Sequence, residues 1–198
     1  MNWAHICVDM QRLFAEDTEW HMSWAARVLP NIVEIVAAHP DATIFTRFIP
    51  VRTPDDARGA WRRYYERWKT MTLEHLGEEM VDLVSELKRF APPGVIVDKW
   101  VYSPWLRPNL PQILRERNIE ALVITGGETD VCVLCTVLGA VDRGFHVILA
   151  QDALCSSSDQ THDALLTLYQ NRYSRQITVL QTDEILGRWQ DPGLFAGT

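Results

Sequence analysis

No apolar run in the 198-residue chain approaches the roughly 20 residues that a membrane-spanning helix needs. The opening MNWAHICVDM has neither the basic nor the apolar part of a secretory signal. Positive charge is in the minority: 19 Lys and Arg against 26 Asp and Glu leave a net charge of −7. That balance argues against a nucleic-acid or anionic-membrane partner. Cysteine is scarce, and the spacing of Cys7, Cys132, Cys135 and Cys155 does not form a zinc pattern. Repeats, low-complexity tracts and linkers are also missing. The expectation is one domain over residues 1–198, cytoplasmic, with reduced thiols.

What the chain does have is alternation. Short apolar runs rich in β-branched residues occur at 3–9, 42–49, 95–99, 121–125, 145–150 and 177–180. Between them lie helical patterns at 23–38, 61–68, 78–90, 109–117, 130–143, 156–169 and 182–188. Pro30 is read as the start of a second section within the first of these, and Thr129 or Asp130 as the cap of the fifth. Strand and helix in turn predict an α/β fold, a three-layer α-β-α sandwich with a mainly parallel, roughly six-stranded Rossmann-like sheet. Eight Trp residues, several of them in loops, suggest an aromatic-lined pocket or a subunit interface.

Chemistry is expected at the carboxyl ends of parallel strands. The first strand ends at Asp9, the third at Lys99, and the fourth runs through Gly126-Gly127 into a helix whose first turn carries Cys132. The first turn of a helix offers unpaired N–H groups and the positive end of the macrodipole, which stabilise a thiolate and can hold an oxyanion. Each residue also has an ordinary reading. Asp9 can cap the next segment, Lys99 can be a solvated charge, and Cys132 can be a small core residue.

Other candidates are less defined. Arg47, ending the second strand, suits either a substrate carboxylate or a salt bridge. Phe14, Trp61, Trp100 and Trp105 suit an apolar substrate wall or the core. Trp61, Tyr64, Tyr65 and Trp68 follow helical spacing among basic residues, so a stripe packed on the domain or on a partner subunit is favoured over single-stranded nucleic-acid binding. His162 reads as a structural, hydrogen-bonded histidine. Cys132-Val-Leu-Cys135 also has the form of a dithiol redox centre, although that reading leaves Asp9 and Lys99 without a role. A non-catalytic binding protein on the same fold is the other alternative.

The stretch Thr125-Gly-Gly-Glu-Thr-Asp-Val-Cys-Val133 resembles the signature of the isochorismatase-like cysteine hydrolases, which include nicotinamidases, N-carbamoylsarcosine amidases and ureide amidohydrolases. Val8-Asp9-Met10-Gln11 and Asp152-Ala-Leu-Cys-Ser-Ser, with His162, are similar to further family segments, so the resemblance runs to about residue 180. It implies an Asp9, Lys99, Cys132 triad. It also implies a cis peptide between Gly127 and Glu128 that aims the N–H groups of Glu128 and Cys132 at one point.

Two departures narrow the expectation. Metal-binding nicotinamidases carry an Asp-x-His pair and further histidines after the second strand, where this chain reads Thr46-Arg-Phe-Ile-Pro-Val-Arg without His. No metal and no cofactor are therefore expected. Members that cleave the isochorismate vinyl ether lack the cysteine, so Cys132 favours C–N hydrolysis of a small amide, ureide or imide. The resemblance further implies a homo-oligomer, a dimer or tetramer, assembled through the region after the second strand.

Overall fold

A computed structural model of the chain describes residues 1–195; the last three residues of the expected domain lie outside that range. The strands are β1 (Asn2–Val8), β2 (Thr43–Phe48), β3 (Val95–Lys99), β4 (Ile119–Gly127), β5 (His146–Cys155) and β6 (Ile177–Leu180). The α-helices are α1 (Arg12–Ala15), α2 (Ala25–Ala38), α3 (Ala60–Arg67), α4 (Leu73–Leu76), α5 (Ser85–Lys88), α6 (Asn109–Glu116), α7 (Cys132–Val141), α8 (Asp159–Arg172) and α9 (Thr182–Gly187). All five strand pairings are parallel, in the order β3-β2-β1-β4-β5-β6. The expected α/β sheet is thus present with six strands.

The central strands are apolar on both faces because helices cover both. In β1, Trp3 and Cys7 enter the core on one side of the sheet, and Ala4, Ile6 and Val8 the core on the other. Strand order reverses between β1 and β4, the position at which doubly wound sheets open a crevice at their carboxyl ends. Asp9, Glu128 and Cys132 follow those two strands, and Lys99 ends the outer β3 on the same rim.

Several elements differ from the sequence reading. Pro30 lies inside α2 and starts no new section. It is tolerated because Pro30 and Ala26, whose carbonyl loses its i+4 donor, both face solvent. The pattern at 78–90 is not one helix: a 3-10 turn (Glu78–Val81) and the short α5 flank an extended piece. There Arg12 N donates to Asp82 O at 3.0 Å, Val84 N donates to Met10 O at 3.1 Å, and Leu83 bridges Gln11. Neither Thr129 nor Asp130 caps α7, whose N-cap is Val131. β5 runs past Ala150 to Cys155, because β4 and β5 re-pair after an irregularity, Gly126 opposite Leu154.

Candidate active site

Three strand ends bring three polar side chains into one buried cluster. Lys99 Nζ pairs with Asp9 Oδ2 at 2.6 Å and donates to Cys132 Sγ at 3.3 Å and to Val101 O at 3.3 Å. Lys99 and Asp9 have no exposed surface. Thr46 Oγ1, on β2, donates to the other carboxylate oxygen of Asp9 at 2.6 Å. Asp9 leaves β1 in the left-handed region (φ 49), which Asp tolerates better than most residues. The Phe48 ring centroid lies 5.1 Å from Lys99 Nζ, an added cation–π contact.

Electrostatics here run against one expectation from sequence. Burial works to lower the Lys99 pKa, but Asp9 and Cys132 outweigh it and the ammonium is held charged. For Cys132, burial dominates and raises the thiol well above its ordinary value; Lys99 pulls it down and Asp9 pushes it up. The first turn of a helix is expected from sequence to stabilise a thiolate at Cys132. The net direction is the reverse, because burial of the thiol outweighs the pull of the cation and Asp9 adds to the upward push. The resting arrangement is therefore thiol, carboxylate and ammonium, with the base beside the thiol.

The loop between β4 and α7 sets the position of Cys132. Gly126 (φ 100) crosses β1 so closely that a Cβ would stand 2.1 Å from Val8 O. A Cβ on Gly127 would stand 2.2 Å from Met22 Sδ. The Gly127–Glu128 peptide is cis. Glu128 O accepts from the N–H groups of Val131 and Val133, at 3.1 and 3.0 Å. No acceptor among the described residues takes the N–H of Glu128 or of Cys132. Thr129 anchors the loop from behind, donating its N–H and its hydroxyl to Cys155 O, each at 3.0 Å. Because that hydroxyl proton is used, His162 Nδ1 is the donor in its 2.8 Å contact with Thr129 Oγ1. His162 is structural, as its place in the sequence suggested.

Cys132 forms the floor of a cavity of about 240 Å³ walled by Phe14, Trp20, Phe48, Tyr64, Trp68 and Tyr102. Trp20 is the hub, with ring centroids 5.7 Å from Tyr64, 6.0 Å from Phe48, 6.1 Å from Phe14 and 6.4 Å from Trp68. Glu19, Glu128, Val131 and Ser157 complete the lining. The aromatic stripe of α3 thus packs on its own domain and turns Tyr64 inward.

Of the side chains suggested from sequence for substrate contact, Phe14 reaches the cavity. Trp61 backs the wall, against Tyr64 and Tyr102 at 5.3 and 4.8 Å. The other three do not reach it. Arg47 is held by Asp98, through Nε at 2.8 Å and Nη2 at 3.0 Å, and by Asp82 at 3.5 Å. Trp105 is core, donating Nε1–H to Thr136 O at 2.8 Å over Gly139, where a Cβ would stand 2.1 Å from its ring. Trp100 is exposed, with the Arg107 guanidinium 4.3 Å above its ring. Trp20, Phe48 and Tyr102 were missed. Their signal was weak, since single aromatics in loops or at a strand end fit core equally well. Cys135 is a free, half-buried thiol one turn beyond Cys132. Among the described residues no cluster of three His, Cys, Asp or Glu forms a metal-binding group, and no helix is long and apolar enough to cross a membrane.

Comparison with known proteins finds the same fold and a family. A cysteine hydrolase from Pseudomonas syringae pv. phaseolicola 1448A superposes with a TM-score of 0.78 at 26% identity, covering 93% of this chain and 91% of that one. An uncharacterized isochorismatase family protein, PncA, of Bacillus subtilis (strain 168) is 32% identical over 107 residues, 51% of this chain and 58% of its own length. The ureidoacrylate amidohydrolase RutB of Variovorax paradoxus (strain S110) is 28% identical over 171 residues, 76% of this chain and 67% of its own. Residues 3–181 match the isochorismatase domain, and the chain belongs to that family.

Proposed function

We propose that the chain is a cysteine-dependent amidohydrolase that cleaves a C–N bond of a small amide, ureide or imide through a thioester. The observation that carries this reading is the chain of contacts from Cys132 Sγ to Lys99 Nζ to Asp9 Oδ2 at the floor of an aromatic-walled cavity. The relative named as a ureidoacrylate amidohydrolase supports the substrate class.

The steps follow from the resting arrangement. With the substrate carbonyl over Cys132, Asp9 takes the thiol proton as sulfur attacks the carbonyl carbon. Lys99 stabilises the charge that passes through the sulfur. The unpaired N–H groups of Glu128 and Cys132 hold the oxyanion; one such donor contributes about 2.7–4 kcal/mol to lowering the barrier in comparable sites. Asp9 returns its proton to the leaving nitrogen as the C–N bond breaks. Water then attacks the thioester and gives a proton to Asp9, the acid leaves, and the thiolate recovers that proton. A high resting thiol pKa is compatible with this order, because the proton moves only when a carbonyl is in place to receive the sulfur.

Ammonia release from a panel of primary amides, ureides and cyclic imides tests the proposal, with Cys132→Ala as control. Release is expected from at least one class by the wild-type protein and from none by the variant. Release that survives in Cys132→Ala, or none from any class by the wild type, would overturn it. A homo-oligomer in the cytoplasm remains part of the proposal, read by light scattering and fractionation.

A further inference from the structure

The cavity has an electrostatic character that the shared reaction does not require. Its lining includes two carboxylates, Glu19 and Glu128, and no Lys, Arg or His. The cations nearby are committed. Lys99 is wholly buried behind the floor, paired with Asp9 and bonded to Cys132 Sγ and Val101 O. Arg47 is held in its fork by Asp98. The exposed Arg67 guanidinium sits 4.6 Å over the Trp68 ring and is not part of the lining. A carboxylate-bearing substrate such as a ureido acid would enter facing two carboxylates, with neutral donors such as the Tyr64 and Tyr102 hydroxyls as compensation and no cation. A positively charged substrate would meet Glu19 and the faces of Phe14, Trp20, Tyr64 and Trp68.

Resting on the amidohydrolase reading, we infer that the substrate is a small cationic amide, whose ammonium or quaternary ammonium group is held by the aromatic wall and Glu19 while its carbonyl lies over Cys132. Aromatic faces attract a compact cation through their quadrupoles, and the attraction grows where water is thinned out. Glu19 is exposed and anchored by the hydroxyl of Thr70, so it adds charge without the desolvation cost of a buried carboxylate. Glu128 is more enclosed: burial raises its pKa even though Ser157 donates to it from both backbone and hydroxyl. A cation beside Glu128 would restore its charged form, so binding and ionisation would reinforce each other.

The test is a matched series on the native protein. Betaine amide and its carbon isostere tert-butylacetamide differ chiefly in charge, and malonamate puts a smaller anionic group in the same place. The expected order of kcat/KM is cationic, neutral, anionic, with about tenfold between the first two and a larger gap to the anion. Glu19→Gln should shrink the cationic-to-neutral ratio severalfold, mainly through KM. Equal turnover across the series, or preference for malonamate, with Cys132-dependent hydrolysis intact, would overturn this inference and leave the amidohydrolase reading standing. If no amide is hydrolysed that reading fails, and a second measurement decides the cation site alone. Tetramethylammonium should slow alkylation of Cys132 by iodoacetamide, read by mass spectrometry, at concentrations where pivalate does not. No protection by tetramethylammonium, or equal protection by pivalate, would overturn the cation site.

Discussion

Lys99 and Arg47 are cations at the carboxyl ends of neighbouring strands, and their residues interlock: Phe48 pairs with Lys99, and Arg47 with Asp98. Their fates are opposite. Lys99 is wholly buried against Asp9 and Cys132, while Arg47 keeps 21% of its side chain exposed and closes a fork on Asp98. One step along a pleat separates them, and a strand's period of two sends successive side chains to opposite sides. The lesson is that a charged residue at a strand end gains chemical meaning from the parity of its position. Parity also sets the energetic stakes, since the buried pair has lost its water and the surface pair has not.

The largest way to exercise that contrast is Lys99→Met. It leaves the Asp9 carboxylate buried with its Thr46 bond but without its cation, a situation that typically costs about 3–5 kcal/mol of stability. Turnover should fall by about 10²–10⁴-fold, the usual weight of a group that manages a proton in the transition state. Lys99 pulls the Cys132 thiol down against burial, so its loss should move the pH profile of iodoacetamide alkylation further upward. Asp9→Asn combined with Lys99→Met should recover much of the stability and none of the activity. Near-wild-type turnover and an unmoved alkylation profile in Lys99→Met would remove Lys99 from the site.

His5 sharpens the contrast from another side, as a buried base with no carboxylate. Thr43 Oγ1 donates to His39 O, so His5 Nδ1–H donates to Thr43 Oγ1 at 3.2 Å and Nε2 accepts from Thr125 Oγ1 at 2.8 Å. Burial, helped by His39, lowers the His5 pKa from 6.5 to about 3. Lys99 keeps its charge in the same sheet because Asp9 is there; His5 gives its charge up. The folded state thus disfavours the proton, and the stability His5 contributes is complete above 6.5 and declines as pH falls from there toward 3. At pH 5 the difference from 6.5 is 1.5 units, or about 2 kcal/mol. Denaturant melts at pH 7 and pH 5 should show a loss of that size, and His5→Gln should remove it. An equal acid loss in the variant would assign the effect to other groups.

The same contrast measures how far the sequence could be read. The strands were legible because runs buried on both faces are apolar throughout, and the triad candidates because parallel topology sends every carboxyl end to one rim. The aromatic stripe at 61, 64, 65 and 68 was legible as a helix, but not its partners Trp20, Phe48 and Tyr102, which arrive from three other segments. The piece at 82–84 was misread because its backbone pairs with 10–12, some 70 residues away, and that pairing overrides local periodicity. The thiol pKa was misread for a related reason: the sequence puts Cys132 at a helix terminus without showing that the surrounding segments bury its sulfur.

Arg47→Ala is the small end of the comparison and the check on its logic. The Arg47–Asp98 pair is partly exposed, with Asp98 at 36%, and such pairs contribute about 0–1 kcal/mol. Loss of the guanidinium lets water reach Asp98, so no buried charge is stranded as it is in Lys99→Met. Stability should change by no more than about 1 kcal/mol, and kcat/KM for neutral and cationic amides should stay within about twofold, because a residue outside the pocket alters neither charge nor shape where the substrate sits. The informative comparison is with malonamate. If Arg47 leaves Asp98 to meet a carboxylate, Arg47→Ala will depress turnover of the anionic amide alone, and parity will have been overruled by a flexible side chain. If all three amides respond alike, the pleat has decided the matter, and the cavity recognises its substrate without a free cation.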